Sequence, residues 1–524
     1  MNQRFFALML AAGMLAAVAP SARPAHAASQ TLIFARVKDA VDLDPAVATD
    51  GLSLNVTSII LQGLVGFKPG TFQVTPRVAQ SWTTSADGKT WTFTLRPNQK
   101  FSDGTPLDAE AVKFNFDRWR LKDNPYRGNY QFSYYVTEFG GFPGLIQDVH
   151  VDSPLKVTFK LARPYGPFLR NLCMPSFAIG SPTAIKADIV AFDHHPIGSG
   201  PYELAEWVRD DHITLRANPS YEPHPVYTTV ILRDIPDQAT SVLELQKGDI
   251  DGLSDLRPDD AKNLAKNPAI TVYRQPSNNV SYLAMNEDKK PFGDVRVRQA
   301  IAYAIDVPAI VKAFYPTGGM VANTWLPPGM LGDTPSVRAY PHDIAKAKAL
   351  LAQAGLAGGF STELYYGTAP RPYMPEPQRV AEAIAADLKQ IGINVTLEPF
   401  EWAVYLSKIK NGEHPMCLIG WTGDNGDPDN FLYVLLDKDS AIKGGQNYAF
   451  WRDEQFHKLM IEGQSTLDEN KRAEIYAAAL KMVHDQAPAV PLVHTTVPFG
   501  MKSNIAGVIP RPDNVLDFEL MHPK

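Results

Sequence analysis

Cysteine is nearly absent from the sequence, and this excludes a fold held together by disulfides. Only two cysteines, Cys173 and Cys417, occur among 524 residues, whereas disulfide scaffolds are short and rich in cysteine. Each lies in an apolar stretch, where a free cysteine usually packs as a small hydrophobic side chain. We therefore expect two buried free thiols, with a Cys173–Cys417 disulfide as the alternative.

The sequence also lacks an excess of basic residues. It carries 50 Lys and Arg against 56 Asp and Glu, a formal net charge of −6 at pH 7. Proteins that bind nucleic acid present a basic surface to the phosphates, so this balance argues against a nucleic-acid partner. Hydrophobic residues at 45% and charged residues at 20% are typical of a globular protein, and the length predicts about three domain-sized units.

Long hydrophobic runs are missing except at the N-terminus. Residues 5–19 form an apolar run after Arg4, and residues 25–27 (AHA) fit the small-x-small pattern of a cleavage site. A helix that spans a bilayer needs about 20 apolar residues. We interpret residues 1–27 as a secretory signal peptide, with an N-terminal anchor helix as the alternative, and expect a soluble periplasmic chain after cleavage.

Sequence motifs of several enzyme classes are absent. There is no phosphate-binding GxxxxGK[ST] loop, no HExxH zinc motif and no GxSxG nucleophile elbow. The pair Gly198-x-Gly200 would need a third glycine at position 203 to bind a dinucleotide, and that residue is Glu203. We expect no enzymatic activity and no cofactor, although a catalytic triad assembled in space leaves no local motif.

Two polar clusters resemble metal-binding sequences. Residues 194–195 (HH) are adjacent in a loop beside a proline, where such a pair is usually polar surface. Residues 424–429 (DNGDPD) are rich in aspartate, but a calcium-binding EF-hand loop needs a glutamate at its twelfth position, which is Leu435 here. We expect no metal site.

Hydrophobic periodicity indicates a mixed α/β fold. Trp91, Phe93 and Leu95 alternate with polar residues, which is the period of a strand with one buried face. Residues 380–391 carry apolar side chains at helical spacing, and a strand-like run, INVTL, follows Gly392. Helix, glycine and strand in succession are typical of αβ units.

Capping residues mark the predicted helix boundaries. Asp108 and Asp294 each precede a segment with helical apolar spacing, which predicts N-caps. Thr466 and Glu469 fit a capping box, in which the two side chains satisfy each other's backbone N–H groups, and predict a helix that begins after Thr466. A second α/β region is expected to begin near Asn279.

Four passages stand out from the periodic segments: residues 198–202 (GSGPY), 295–300 (VRVRQA), 371–373 (RPY) and 420–431 (GWTGDNGDPDNF). Together they resemble the bacterial extracellular solute-binding proteins of family 5, which serve ATP-driven (ABC) importers, from about residue 30 to the C-terminus. The first two passages mark the wide family of peptide, nickel and glutathione binders. The last two are more specific to its dipeptide branch.

The resemblance implies an α/β fold, the periplasmic-binding-protein fold of the cluster C type, with two ligand-binding lobes, a hinge and an extra lobe. By this resemblance, lobe I comprises residues 28–69, 188–277 and 495–524. The inserted α+β lobe comprises residues 70–187, and lobe II comprises residues 278–494. The chain would cross the hinge near Asn278 and Thr495. Ligand would be held in the cleft between the lobes as they close.

The resemblance also implies roles for single residues. An aspartate matching Asp424 pairs with the α-ammonium of a peptide, and an arginine matching Arg371 pairs with its α-carboxylate, which the planar guanidinium fits in bidentate fashion. The other candidate ligand-binding residues are Tyr373, Trp402, Trp421, Gly423 and Gly51. Ordinary core packing is the alternative for each aromatic, and the loop around Gly51 differs from the form usual in the family.

We therefore expect a monomeric receptor that captures dipeptides and delivers them to an inner-membrane ABC permease. Alternatives with the same fold bind oligopeptides, glutathione, haem or a metal chelate. A secreted hydrolase is an alternative of a different class. Arg371 favours dipeptides, because a receptor for longer peptides need not fix the carboxylate at a set distance.

Overall fold

The computed structural model describes residues 31–315 and 318–524. The predicted signal peptide, residues 1–27, lies outside the described residues. Across the part of the chain that is described, no helix combines the length and the apolar character that crossing a membrane requires.

Helices and strands alternate along the chain. The first half contains, in order, β1 (Thr31–Arg36), α1 (Gly51–Ile60), β2 (Val65–Phe67), β3 (Val74–Pro76), β4 (Ala79–Thr84), β5 (Thr90–Leu95), α2 (Ala109–Arg120), α3 (Ser133–Phe139), β6 (Ile146–Ser153), β7 (Lys156–Leu161), α4 (Phe168–Asn171), α5 (Pro182–Ala187), α6 (Ile189–His194), β8 (Tyr202–Val208), β9 (His212–Ala217), β10 (Thr229–Asp234), α7 (Gln238–Lys247), β11 (Gly252–Leu253), α8 (Pro258–Leu264) and β12 (Ile270–Pro276).

The second half begins with β13, and its elements complete the mixed α/β architecture that the sequence predicts. They are, in order, β13 (Asn279–Met285), α9 (Val295–Ala304), α10 (Val307–Phe314), β14 (Met320–Val321), α11 (Ile344–Gln353), β15 (Phe360–Gly367), α12 (Pro377–Lys389), β16 (Ile393–Phe400), α13 (Trp402–Lys410), β17 (Met416–Thr422), α14 (Asp429–Leu436), α15 (Glu454–Ser465), α16 (Glu469–Gln486), β18 (Ala489–His494), β19 (Thr496–Lys502), β20 (Ile505–Ala506) and β21 (His522–Pro523).

The first sheet has seven strands in the order β12-β19-β11-β1-β10-β9-β8. β1 lies at its centre and runs parallel to both β10 and β11. β19, from near the C-terminus, pairs with β11 and β12. The first sheet therefore joins segments that are distant in sequence.

The second sheet has six strands in the order β14-β18-β13-β17-β15-β16. β13 is buried along its whole length, and β15 runs parallel to both of its neighbours, β16 and β17. The carboxyl ends of β15 and β17 therefore meet at one edge of the sheet, which is where ligand sites of α/β proteins usually lie.

The third sheet is antiparallel, with the order β4-β5-β7-β6. Its strand β5 carries the alternating pattern seen in the sequence, and Trp91, Phe93 and Leu95 are all buried in one core. The strand prediction for this segment is confirmed, because the apolar face of β5 packs with the buried aromatic residues of α2.

The predicted helix starts are confirmed in two cases and wrong in one. Asp108 and Asp294 are N-caps whose carboxylates accept from backbone N–H groups. Thr466 instead closes α15 as its C-cap, and α16 begins at Glu469 after Asp468. The carboxylate of Asp468 accepts from two backbone N–H groups of the first turn, so it occupies the cap position that the capping box had assigned to Thr466.

Both cysteines are free. Cys417 is buried in β17, as expected, whereas Cys173 is partly exposed. Removal from water raises the pKa of both thiols, because burial disfavours the charged thiolate. The alternative of a Cys173–Cys417 disulfide is therefore wrong.

The chain passes between the first and second sheets twice, and the two crossings are hydrogen bonded to each other. Residues 277–278 separate β12 from β13, and Thr495 separates β18 from β19. The amide of Asn279 donates to Thr495 Oγ1 at 2.7 Å and accepts from the Thr495 backbone N–H at 3.0 Å. Because both residues are buried, this reciprocal pair holds the two crossings side by side.

One ion pair is fully buried where α16 meets the loop before α14. Arg472 donates to both carboxylate oxygens of Asp427, at 2.8 and 2.9 Å, and the two residues are 1% and 0% exposed. Although burial disfavours ionisation, the Arg472 and Arg170 guanidinium groups hold the pKa of Asp427 below its ordinary value. The acidic loop of residues 424–429 is therefore braced from inside the protein at Asp427.

We predict that Arg472→Ala destabilises the protein by about 3–5 kcal/mol, because it leaves the buried Asp427 carboxylate without its main counter-charge. Calorimetric unfolding of the purified protein measures the effect. Arg379→Ala is the matched control, since Arg379 is exposed and its ion pair with Glu376 is 3.8 Å long, which predicts a loss of at most about 1 kcal/mol. Equal transition temperatures for the two variants would contradict the assignment.

Candidate functional site

A cavity of about 670 Å³ lies between the first sheet and the carboxyl edge of the second sheet. Its first-sheet side includes Arg36, Asp50 and Gly51, and its second-sheet side includes Arg371 and Thr422. We call this cavity the main cleft. Both chain crossings lie near it, so it is placed where two bodies joined by a hinge would close on a ligand.

Arg371 reaches the main cleft from the loop that follows β15. Its backbone N–H and C=O exchange hydrogen bonds with Met374, at 3.0 and 2.8 Å, which makes a tight turn. Its guanidinium carbon lies 3.7 Å from the centroid of the Trp402 ring, a stacked arrangement that fixes the plane of the donor fork. Its Nε makes no hydrogen bond, and no carboxylate of the described residues pairs with it.

The aromatic neighbours of Arg371 hold the loop in place. Tyr373 is only 9% exposed, and its ring lies so close to Gly420 that a Cβ there would come within 2.3 Å of it. Burial raises the pKa of Tyr373 to about 12. Trp402 begins α13 and lies against Gly367 at the end of β15. Tyr373 therefore anchors the loop from the core, while Trp402 supports the guanidinium of Arg371.

Asp424 follows β17 at the same edge of the sheet. Its Oδ1 accepts from the Tyr134 hydroxyl at 3.4 Å, and its Oδ2 accepts from the Asn430 amide at 3.3 Å. Burial raises the pKa of Asp424 to about 6, even though both hydrogen bonds favour the ionised form. Within residues 31–315 and 318–524 no cation pairs with this carboxylate.

Both charged loops are tied to the chain crossings. Gly423 donates its N–H to Asn278 O at 2.6 Å, and Asn278 Nδ2 donates to Gly423 O at 2.9 Å. A Cβ at Gly423 would lie 2.6 Å from that same Asn278 nitrogen, so only glycine fits. Thr495 Oγ1 donates to the carbonyl of Pro372 at 3.1 Å. The loop that carries Asp424 is therefore hydrogen bonded to one chain crossing, and the loop that carries Arg371 is hydrogen bonded to the other.

Trp421 and Gly51 complete the set of predicted site residues. Trp421 is half-buried, and its indole N–H donates to Asn430 Oδ1 at 2.9 Å. Gly51 begins α1, whose N-cap is Asp50, and a Cβ at Gly51 would meet nothing within 4 Å. The position therefore faces open space in the main cleft.

The structure brings the seven predicted residues to one region but gives them different positions. Arg371 and Gly51 line the main cleft. The other five lie beside or behind its lining: Tyr373, Trp402, Trp421, Gly423 and Asp424. Their roles toward a ligand stay predictions.

Sequence reasoning missed the groups that support Asp424. Asn430 bonds Asp424 through its amide and also accepts from the Asp424 backbone N–H at 3.0 Å. It lies inside the passage GWTGDNGDPDNF, so the passage itself could have drawn attention to it. Tyr134 comes from α3, and no local pattern marked it, because its contact with Asp424 spans 290 residues.

An acid–base network on the first-sheet side was also missed. Arg36, at the end of β1, donates to Asp234 at 2.6 Å and to Asp39 at 3.4 Å. The Trp207 indole N–H donates to both oxygens of Asp39, at 3.0 and 3.1 Å. Burial raises the pKa of Asp234 to about 6 in spite of the Arg36 guanidinium. Of this network, Arg36 and Asp39 line the main cleft.

Groups that could ligate a metal ion come together at one place among the described residues. Asp437, Asp439 and His457 have ligand atoms within 4.8 Å of one another, but His457 Nδ1 lies 3.0 Å from a carboxylate oxygen of Asp437 and is hydrogen bonded to it. Of the two adjacent histidines, His194 is the last residue of α6 and His195 is its C-cap, and the ring of His194 lies 5.9 Å from that of Trp207. None of these groups lines the main cleft.

Comparisons with known proteins agree with this geometry. The family model described as "Bacterial extracellular solute-binding proteins, family 5 Middle" matches residues 73–442. The dipeptide-binding protein of Escherichia coli (strain K12) is 37% identical over 504 residues, which are 94% of this chain and 94% of that protein. Heme-binding protein A of Haemophilus influenzae is 32% identical over 497 residues, 92% of this chain and 90% of that protein.

A solved structure shares the fold over nearly the whole chain. It is the ABC transporter-associated periplasmic binding protein DppA from Helicobacter pylori in complex with the peptide STSA, with a TM-score of 0.76 and 31% sequence identity. The match covers 94% of this chain and 98% of that one. The expected periplasmic-binding-protein fold is thereby confirmed, and the chain belongs to the bacterial extracellular solute-binding proteins of family 5.

Proposed function

We propose that this protein captures dipeptides in the main cleft and delivers them to an inner-membrane ABC permease, without catalysing a reaction. The observation that carries the proposal is a pair of opposite charges, Arg371 and Asp424, that have no ionic partner among the described residues and lie at one edge of the second sheet. A zwitterionic peptide supplies an ammonium for one and a carboxylate for the other. The E. coli relative is named a dipeptide-binding protein, which supports the same ligand class.

Two fixed charges select ligands by length. An extended residue adds about 3.3–3.6 Å, so two residues separate the terminal groups by roughly 7 Å. Side chains are then tolerated as long as the cavity accommodates them, and about 670 Å³ is within the range usual for small-molecule sites. A third residue would carry the carboxylate away from Arg371 if the ammonium stays on Asp424.

We further propose that the protein moves as lobes about its two chain crossings. Lobe I would hold the first sheet, with residues 28–69, 188–277 and 495–524, and lobe II would hold the second sheet, with residues 278–494. The third sheet lies in the proposed extra lobe, residues 70–187. The hydrogen-bonded crossings at 277–279 and Thr495 support this division, because the chain passes between the first and second sheets at these two places.

The remaining parts of the proposal concern the cell. We propose that residues 1–27 are removed on export, that the mature chain works in the periplasm, and that it acts as a monomer. A monomer suffices because the cleft is lined by a single chain on both sides.

A receptor for longer peptides is the second candidate, since the H. pylori structure holds the peptide STSA. Haem is a weaker candidate, although one relative is named for it. Iron in haem proteins takes His, Cys, Met or Tyr as its axial ligand, and the described residues that line the main cleft include none of these.

We predict that Asp424→Asn weakens the binding of Ala-Ala by roughly 30-fold to several-thousandfold, because removing one partner of a buried charge pair costs about 2–5 kcal/mol. N-acetyl-Ala-Ala, which lacks the ammonium, should bind the unaltered protein poorly and lose little more in this variant. Arg371→Ala should behave in the same way toward Ala-Ala and its C-terminal amide. Isothermal calorimetry measures all of these combinations.

Two surface variants serve as controls for charge and for folding. Asp259→Asn and Arg379→Ala change exposed residues of the same types and should leave the affinity for Ala-Ala unchanged. If the acetylated or amidated peptide binds the unaltered protein as tightly as Ala-Ala, the proposed roles of Asp424 and Arg371 are wrong.

The raised pKa of Asp424 predicts a pH dependence of binding. The carboxyl titrates at about 6 in the unliganded protein, and only its ionised form attracts an ammonium. The affinity for Ala-Ala should therefore be highest near pH 7, stand at about half of its limiting value near pH 6, and fall up to tenfold per pH unit below that. Above a pH of about 7.7 the α-amino group of the peptide loses its own proton, and the affinity should fall again. Calorimetry from pH 4.5 to 8 tests this, and Asp424→Asn should remove the acid limb. An unchanged acid limb in that variant would assign it to another group.

A further inference from the structure

A second cavity, of about 480 Å³, opens between the extra α+β unit and the segment around α14. We call it the acidic crevice. Its polar lining comes from Glu138 and Arg163 on one side and from Asn425, Asp429 and Gln464 on the other. The acidic crevice and the main cleft have no lining residue in common, and none of the predicted site residues lines the crevice.

The acidic crevice shares a wall with the proposed ammonium site. Asn430 lines the crevice and also bonds Asp424 through both its amide oxygen and its amide nitrogen. Asn425, the residue after Asp424, lines it as well. A ligand group held on Asp424 therefore lies one residue away from this second cavity.

The crevice contains two buried carboxyl groups, and neither forms a close ion pair with a cation of the described residues, although Arg472 and Arg163 act on Asp429 from a distance. Glu138 is 8% exposed, its Oε2 accepts from Asn425 Nδ2 at 3.2 Å, and its Oε1 has no hydrogen-bond partner among the described residues. Asp429 is 6% exposed, and in the same part of the chain its two oxygens accept only from Gln464 Nε2, at 3.0 and 3.2 Å. The nearby Asp427 differs, because Arg472 donates to both of its carboxylate oxygens.

Such carboxyl groups favour a cation that comes from outside. Burial raises the pKa of Asp429 to about 7, and the Asp427 charge adds to the effect. Burial and the neighbouring aspartates raise the pKa of Glu138 well above its ordinary value. Arg163 carries the positive charge of the lining, but it is exposed at the rim and donates to Gln464 Oε1 at 3.1 Å.

We propose that the acidic crevice is a subsite for the basic side chain, lysine or arginine, of the first residue of a bound peptide. The inference rests on the proposed function, because it requires the α-ammonium of that residue to lie on Asp424. Phe139, Leu145 and Val434 add an apolar wall to the lining, along which the methylene stem of such a side chain packs while its charged end reaches Glu138 and Asp429.

The arrangement of the carboxylate oxygens in the acidic crevice favours an organic cation over a metal ion. A divalent ion needs oxygen ligands converging at about 2.0–2.6 Å, whereas the carboxylate oxygens of Asp429 are both occupied by one amide nitrogen. A primary ammonium with three donors, or a guanidinium with five, satisfies the free Oε1 of Glu138 and shares Asp429 with Gln464.

The test compares Lys-Ala with norleucyl-alanine, whose first side chain has the same stem without the ammonium. Calorimetry at pH 7.5 should show Lys-Ala binding about tenfold more tightly, the value of one charge-assisted hydrogen bond. Asp429→Asn and Glu138→Gln should each remove most of this preference while Ala-Ala binds as before. Glu474→Gln, an exposed change of equal charge on α16, should keep the preference intact.

The outcomes separate this proposal from the function on which it rests. If Ala-Ala binds but Lys-Ala and norleucyl-alanine bind equally well to the unaltered protein, the subsite is wrong and the dipeptide function stands. That comparison needs no variant, so it holds even if Asp429→Asn fails to fold. If no dipeptide binds, both the proposed function and the proposed subsite are wrong. A preference for Lys-Ala that both variants retain would place the cation elsewhere.

Discussion

A charge taken out of water needs a partner, and the edge of the second sheet leaves one charge of each sign without a partner in the described chain. Asp424 is buried deeply enough that its pKa rises to about 6. Arg371 lies stacked on Trp402 with its Nε unpaired. Because both loops follow parallel neighbouring strands, the fold itself presents the two charges together. A molecule with both terminal charges would, under the proposed function, supply the two missing partners.

Hydrogen bonds join the loops that carry these charges to the two chain crossings. The Asp424 loop is bonded to Asn278 at one chain crossing, and the Arg371 loop is bonded to Thr495 at the other. The crossings are bonded to each other through Asn279. Ligand that contacts both sides of the cleft favours the closed state by the difference in its affinity for the two states. Under the proposed lobe movement, binding and closure would be coupled through these hydrogen bonds.

Local features of the fold could be predicted from the sequence, because they depend on neighbouring residues. The alternation of Trp91, Phe93 and Leu95 gives β5, and Asp108 gives the N-cap of α2. The prediction at Thr466 was wrong because two residues that can cap a helix, Thr466 and Asp468, lie close together in sequence. The carboxylate of Asp468 accepts the backbone N–H groups of the first turn of α16. Such competition is decided by backbone geometry, which a motif does not contain.

The candidate site could be predicted only where a recognisable passage carried it. Arg371 and Asp424 lie in such passages, and the structure brings both to the same edge of one sheet. Tyr134 could not be predicted, because its contact with Asp424 joins residues 290 positions apart. That contact exists only after the extra α+β unit has packed against the second sheet.

Small-angle X-ray scattering of the protein with and without peptide measures whether a dipeptide closes the main cleft. Saturating Ala-Ala should reduce the radius of gyration, since the ligand would bridge Arg371 and Asp424 and draw the two sides of the cleft together, while a hexapeptide at the same concentration should leave it nearly unchanged. A hexapeptide that compacts the protein as much as Ala-Ala, and binds more tightly, would contradict the proposed dipeptide site. Arg371 would then have no role in setting ligand length.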